Sequence, residues 1–353
     1  MLRVVRDALI IVLITLALGE LSLRIYNFID PLPIFYSESY NRWRGKPFAP
    51  EYGAFHLNSR GFNDVEFNTS KAPGATRILG IGDSFAFGVV PYEYNYLTLV
   101  EQNLKQHGRD VELINMGIPS IGPRDYLALL VHEGIALEPD RVLLSFFIGN
   151  DFEGQRRSLA SYSYLASAVK YVAARWSKFD AQFAPSNAPY HDDAPMFTDA
   201  AYLNIELQRS AIFIRDNRKF ERDFAAAMFY ISEIKRLCDS RNIGLTLVLI
   251  PDEMQVSKPL QARLIAASGV AQASAKSARA STSFDFTLPN RLLRAKLEEL
   301  KIDYIDLMTD FSARSLVEKL YRPNDSHWNI AGNSLAAELI GQYLSAQLAA
   351  GGR

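Results

Sequence analysis

The sequence predicts an α/β protein built on a three-layer, doubly wound parallel sheet, with a transmembrane helix at its N-terminus. Short apolar runs at 78–81, 111–114, 142–148 and 245–250 are bounded by Gly, Pro, Asn or Asp, which is typical of strands buried on both faces of a parallel sheet. They alternate with longer helix-like segments, and this alternation predicts right-handed βαβ crossovers. An apolar run behind two basic residues predicts the terminal helix.

The N-terminal helix is predicted to span residues 1–29 as a membrane anchor. Arg3 and Arg6 precede the uncharged residues 8–19, which alone would make only about 18 Å of helix against a hydrocarbon core of about 30 Å. Extension to residue 29 completes the span if Glu20 and Arg24 lie at the outer interface. The basic flank predicts a single-pass protein of the inner (cytoplasmic) membrane, with its body in the periplasm. The alternative is a signal peptide cleaved near residues 17–19.

The rest of the chain divides into an irregular lead-in at 30–76 and one large domain at 77–350. Helices are expected at 96–107, 126–137, 224–241, 292–300 and 330–349, with a weaker strand at 304–307. Residues 155–220 are predicted to form an insertion. It is either a cap over the site or a membrane-facing element, or else a helical segment that packs on the body of the domain. The Ala/Ser-rich stretch 266–283 indicates a connector or surface helix.

Composition excludes several classes of function. The 353-residue chain has a net charge of -1 and no block of basic residues, so it lacks the basic patch expected of a nucleic-acid-binding protein. Its single cysteine, Cys238, cannot form an intramolecular disulfide. No HExxH or CxxC spacing predicts a metal, and Gly80-Ile81-Gly82 lacks the further glycine of a dinucleotide loop. The sequence therefore predicts neither a metal nor a cofactor.

Polar motifs follow three successive predicted strands, and a fourth precedes the last helix. They are Gly82-Asp83-Ser84, Asn115-Met116-Gly117, Gly149-Asn150-Asp151 and Asp325-Ser326-His327. In open parallel sheets, ligands bind where the loops at the carboxyl ends of the strands converge. We therefore expect the four motifs to meet at one edge of the sheet.

These motifs resemble the four blocks of the SGNH (GDSL-type) hydrolase superfamily, which contribute Ser, Gly, Asn and His. Ser84 matches the first block, Gly117 the second, Asn150 the third, and His327 with Asp325 the last. Residues 58–62 resemble a segment that precedes the first block in bacterial membrane-anchored members. The last block departs from the common Asp-x-x-His form. Its Asp-x-His-Trp-Asn pattern is similar to that of polysaccharide O-acetyltransferase-like proteins.

The resemblance implies a Ser84–His327–Asp325 triad and an oxyanion hole made by the Ser84 N–H, the Gly117 N–H and the Asn150 amide. A serine hydroxyl needs a neighbouring base, and an oxyanion needs donors that are fixed in advance. The implied function is a serine-dependent ester hydrolase or O-acyl (acetyl) transferase acting on an acylated glycan of the cell envelope. A lipid esterase or lysophospholipase is the second hypothesis, and a catalytically silent scaffold of an envelope assembly is the third. Sequence does not identify protein partners.

Overall fold

The chain forms a five-stranded parallel sheet with helices on both faces. The structure is a computed structural model and describes residues 2–29, 40, 44–52, 55–153, 163–176, 189–269 and 284–351. The strands are β1 (Thr76–Ile81), β2 (Val111–Asn115), β3 (Arg141–Phe147), β4 (Gly244–Ile250) and β5 (Asp303–Asp306). Their order is β2-β1-β3-β4-β5, with every neighbouring pair parallel. The predicted doubly wound sheet is confirmed.

The described α-helices before β4 are one long terminal helix and six helices that come after β1, β2 or β3. They are α1 (Leu2–Ile29), α2 (Ser84–Phe87), α3 (Tyr96–Gln106), α4 (Pro123–Leu129), α5 (Tyr164–Trp176), α6 (Asp199–Arg209) and, leading into β4, α7 (Arg218–Ser240). After β4 come α8 (Glu253–Val256), α9 (Lys258–Ala267), α10 (Leu288–Glu299), α11 (Met308–Arg314) and α12 (Ile330–Ala349).

Two apolar layers cover the sheet because successive strand residues point to opposite faces. Ile78 packs in one layer and Leu79 in the other, and Leu143 and Leu144 divide in the same way. The first layer lies under α3, α11 and α12, and the second under α4, α7 and α10. The three-layer arrangement is therefore confirmed.

The strand order reverses between β1 and β3, because the chain extends the sheet in one direction through β2 and in the other through β3, β4 and β5. A crevice forms at the carboxyl ends of the strands at such a switch point. Ser84 follows β1 and Asn150 follows β3, so both lie beside this crevice.

α1 is long and apolar enough to cross a membrane, and most of its residues are exposed. This leaves it a candidate span or signal sequence. Several predicted segments lie partly outside the described residues: the lead-in at 30–39, 41–43 and 53–54, the insertion at 155–162 and 177–188, and the connector at 270–283. The described part of the insertion holds α5 and α6.

Candidate active site

Ser84 opens a single helical turn directly after β1. The side chain of Asp83 caps this turn, with Oδ1 accepting the Phe85 N–H at 2.9 Å. The turn ends at Gly88, whose φ is +91°, and a Cβ there would lie 2.2 Å from Nδ2 of Asn95. Glycine is therefore required at the exit of the turn. These contacts hold Ser84, which is 7% exposed, in a fixed position at the sheet edge.

A short hairpin carries His327 to the same edge. Tyr321 pairs with Trp328 across the hairpin, and the Arg322 N–H donates to the His327 carbonyl at 3.0 Å. Trp328 is buried against Phe85, with ring centroids 4.9 Å apart. The hairpin therefore packs directly on the residue that follows Ser84, which brings the two motifs together across 243 positions of sequence.

Ser84, His327 and Asp325 form a continuous chain of hydrogen bonds. Nε2 of His327 lies 2.7 Å from Oγ of Ser84, and Nδ1 lies 2.6 Å from Oδ1 of Asp325. The same oxygen accepts the backbone N–H of His327 at 3.1 Å. Because an ionised carboxylate only accepts hydrogen bonds, Nδ1 must carry the proton of the neutral ring. Nε2 then presents its lone pair to the Ser84 hydroxyl.

The second oxygen of Asp325 faces Arg322. Nη1 of Arg322 lies 3.5 Å from Oδ2, and both side chains are buried. Burial raises the pKa of the Asp325 carboxyl, but the charge and hydrogen bonds of His327, together with Arg322, lower it by more. The net pKa lies below the ordinary value, so Asp325 is an anion at neutral pH.

Asn150 is tied to the nucleophile turn through Asp83. Its Nδ2 donates to Oδ2 of Asp83 at 3.3 Å. A primary amide has two hydrogens on nitrogen, so the second remains available for a ligand. Asp83 is fully buried, and burial raises the pKa of its carboxyl, opposed by the Phe85 N–H and the charge of His327. Asp83 thus orients both the Ser84 turn and the Asn150 amide.

Gly117, the predicted third donor, follows β2. Its N–H donates to Oδ1 of Asn115 at 2.8 Å, so it is already paired within the protein. The absence of a side chain serves packing, since a Cβ would lie 2.1 Å from the Phe87 nitrogen and 2.4 Å from the Ala86 carbonyl carbon. The glycine therefore lets the segment after β2 approach the Ser84 turn, and a role of the Gly117 N–H in an oxyanion hole stays a prediction.

Sequence reasoning missed a buried group of charges behind the site. Glu206 on α6 and Asp252 after β4 are buried near each other, and burial raises the pKa of both carboxyls, so we infer that the pair holds one proton. Burial, followed by the nearby charge of Asp252, raises the pKa of Glu206. Arg209 links this pair to the His327 hairpin, with Nη1 3.2 Å from Oε1 of Glu206 and 2.9 Å from Oγ of Ser326. A Cβ at Gly149 would lie 2.3 Å from Oδ2 of Asp252, so the pair also abuts the Asn150 loop.

The insertion touches the His327 hairpin at a second place. The Met196 N–H donates to the Pro323 carbonyl at 3.3 Å, and Nδ2 of Asn324 donates to the Phe197 carbonyl at 3.2 Å. The described part of the insertion therefore packs against the His327 hairpin and places the charged residues Glu206 and Arg209 beside it.

Within the described ranges, no group of three or more His, Cys, Asp or Glu residues could hold a metal ion.

No protein-family model and no curated protein sequence matches this chain. Similar solved structures include an acetyl xylan esterase, at 16% identity and a TM-score of 0.43 over 76% of this chain and 99% of that chain. The lipase/acylhydrolase from Enterococcus faecalis gives 14% identity and a TM-score of 0.43 over 77% of this chain and 96% of that chain. A two-domain esterase active on acetylated mannans gives 14% identity and a TM-score of 0.40 over 77% of this chain and 49% of that chain. At these identities and TM-scores, the similarities identify neither a substrate nor a family for this chain.

Proposed function

We propose that this protein is a serine-dependent ester hydrolase or O-acyltransferase, with Ser84 as nucleophile, His327 as general base and Asp325 as the acid that orients the base. The observation that carries the proposal is the unbroken hydrogen-bond chain from Ser84 Oγ through the imidazole to Asp325, with contacts of 2.7 and 2.6 Å. This arrangement removes the hydroxyl proton as the oxygen attacks.

In the first half-reaction, Oγ of Ser84 attacks the acyl carbonyl carbon and its proton passes to Nε2 of His327. Asp325 stabilises the imidazolium that forms. The negative carbonyl oxygen would be bound by the Ser84 N–H at the start of α2 and by the free hydrogen of the Asn150 amide. The tetrahedral intermediate then collapses, and the alcohol leaves with the proton from Nε2. An acyl group remains on Ser84.

In the second half-reaction, His327 takes a proton from an attacking hydroxyl. Attack by water releases the carboxylic acid, whereas attack by a sugar hydroxyl forms a new ester. In both cases the proton on Nε2 returns to Oγ of Ser84. Hydrolysis and transfer therefore share every residue named here, and they differ in which nucleophile reaches the acyl-enzyme.

The proposed substrate is an acylated glycan of the cell envelope, and acetyl is the proposed acyl group. The Asp-x-His-Trp-Asn pattern at residues 325–329 supports this choice by its similarity to polysaccharide O-acetyltransferase-like proteins. α1, with Arg3 and Arg6 at its start, would anchor the protein in the cytoplasmic membrane and leave the body in the periplasm.

A lipid esterase is the second candidate, and one contact favours it. α5, part of the insertion, packs against α1, which would place protein surface other than the anchor close to lipid. The scaffold hypothesis is disfavoured, because a catalytically inactive protein does not require a buried carboxylate, an imidazole and a hydroxyl joined by hydrogen bonds.

The test is turnover of p-nitrophenyl acetate by the full-length chain in detergent, with and without oligosaccharide acceptors, and with products identified by mass spectrometry. Released acetate indicates hydrolysis and acetylated oligosaccharide indicates transfer. If lysophospholipid is turned over faster than p-nitrophenyl acetate, with or without acceptors, the lipid esterase is favoured. Ser84→Ala is the control. Turnover that is equal in the wild type and in Ser84→Ala would exclude the mechanism.

A further inference from the structure

Glu20 of the anchor helix caps the first turn of α5. Its carboxylate accepts three hydrogen bonds from the start of this helix, from Ser163 Oγ at 2.8 Å, from the Tyr164 N–H at 2.9 Å and from the Leu165 N–H at 2.9 Å. The first N–H groups of any helix have no partner within the helix, and a side-chain oxygen usually supplies one locally. Here the acceptor comes from another helix, 144 positions earlier in the sequence.

Two further side chains of α1 fix the same end of α5. The guanidinium of Arg24 lies 4.7 Å from the centre of the Tyr164 ring, and it also bonds Glu20. Nδ2 of Asn27 donates to the Tyr164 hydroxyl at 3.2 Å. The start of α5 is therefore held along about two turns of the anchor helix.

α5 has one polar or buried side and one exposed apolar side. Tyr164 and Ser167 are buried, whereas Val169 and Val172 are 62% and 46% exposed. Leu165, Val169 and Val172 follow the i, i+4, i+7 spacing that places residues on one helix face. Leu165 lies beside Gly19, so this apolar face continues from the anchor contact.

Glu20 sets the depth at which α5 begins. A carboxylate or guanidinium is unfavourable in the centre of a bilayer, so Glu20 and Arg24 belong at the membrane interface. Because the first residues of α5 bond Glu20 directly, α5 starts at that same level. We infer that an apolar face that begins at the interface, and that none of the described residues covers, meets lipid.

We propose that α5 is a second membrane-contacting element, docked by Glu20 to the anchor helix, with Val169 and Val172 inserted at the boundary of head groups and acyl chains. The occupant of this face is the lipid bilayer. The body would then be held against the membrane surface, instead of moving on a loose tether. The proposal depends on α1 remaining in the membrane, and it is independent of the chemistry proposed for Ser84.

The test uses the full-length chain in vesicles of phosphatidylcholine and phosphatidylglycerol. Cys238 is buried and is the one cysteine of the sequence, so Cys238→Ala gives a background for single labels. An environment-sensitive fluorophore is attached to Val169→Cys or Val172→Cys. The control is Val317→Cys, which lies in the turn after α11 and is 84% exposed. Quenching is measured with nitroxide-labelled lipids and with aqueous iodide.

We expect lipid quenching at 169 and 172 to exceed that at 317 at least twofold, and iodide quenching to show the reverse order. Equal quenching at the three positions would overturn the proposal, as would a protein isolated from cells whose mass shows cleavage near residue 19. Glu20→Ala removes the cap while leaving α1 apolar, so lipid quenching at 172 should fall toward the control value. Unchanged quenching in Glu20→Ala would overturn the docking role of Glu20. Esterase activity enters none of these readouts.

Discussion

Replacing Asp325 by Asn tests the electrostatics of the candidate site most sharply. The carboxylate lies 2.6 Å from Nδ1 of His327, so the centres of opposite charge in the Asp325–imidazolium pair are separated by about 4 Å. At an effective dielectric constant of about 20, that pair contributes about 4 kcal/mol. This energy is present only after His327 has taken the Ser84 proton. Its loss therefore raises the activation barrier of the chemical step and leaves the affinity for substrate unchanged.

We therefore expect Asp325→Asn to lower kcat by about 10³, with KM changed by less than about threefold. The assay is steady-state hydrolysis of p-nitrophenyl acetate at neutral pH, with the thermal midpoint measured on the same samples. A variant that stays folded and retains more than about a tenth of wild-type kcat would refute the assignment of Asp325.

Arg322 provides the matched control. In Asp325→Asn, its guanidinium remains buried beside the hairpin without the anion that lay 3.5 Å away, and it then opposes formation of the imidazolium. Adding Arg322→Met to Asp325→Asn should therefore recover about tenfold in kcat, whereas Arg322→Met alone should not raise it. If the double variant is no faster than Asp325→Asn, the charge argument is wrong.

Three further changes test the residues around the Ser84–His327–Asp325 hydrogen-bond chain. Asn150→Ala should lower kcat by about 10²–10³ without loss of stability, and an unchanged kcat would remove Asn150 from the oxyanion hole. Glu206→Gln should keep the free energy of unfolding in urea, because its amide donates to Asp252 where the shared proton lay. Glu206→Ala should cost about 1–3 kcal/mol, and equal stability of both variants would argue against a shared proton. Trp328→Ala should cost about 3–5 kcal/mol and abolish turnover, since Trp328 supports the His327 hairpin, and a thermal midpoint that stays at the wild-type value would contradict this.

Most of the sheet could be predicted from the sequence because each strand is a short apolar run with a turn residue at its end. The observed strands differ from the predicted ones by at most two residues at either end. The final helix begins and ends at the predicted residues, since Asn329 provides a clear cap by accepting the Gly332 N–H. Local chemistry alone determines these boundaries.

Helix starts with polar first turns were predicted less well. α7 begins at Arg218, six residues before the predicted start, because its first turn carries few apolar residues and only the Asn217 cap marks it. α10 begins at Leu288 with a proline in its first turn, ahead of the predicted residue 292. Apolar periodicity identifies the buried face of a helix, whereas capping residues identify its start.

Ser84, His327 and Asp325 could be predicted because each follows a strand end or precedes the last helix. The topology brings these positions to the same edge of the sheet. The supporting charges could not. Arg322, Arg209 and Glu206 stand in sequence surroundings that resemble ordinary surface helices and loops, and their roles depend on partners that are distant in sequence. The pairing of Gly117 with Asn115 likewise follows from how β2 packs on the Ser84 turn.

The decisive measurement is covalent labelling by a fluorophosphonate, in which Oγ of Ser84 displaces fluoride from phosphorus and His327 takes the hydroxyl proton. The folded wild-type chain should gain one adduct mass, located at residue 84 by peptide mapping, and Ser84→Ala should gain none. His327→Ala should label far more slowly at an unchanged thermal midpoint. A folded wild-type chain that resists the reagent, or a Ser84→Ala variant that reacts equally, would contradict the nucleophile on which the proposed function depends.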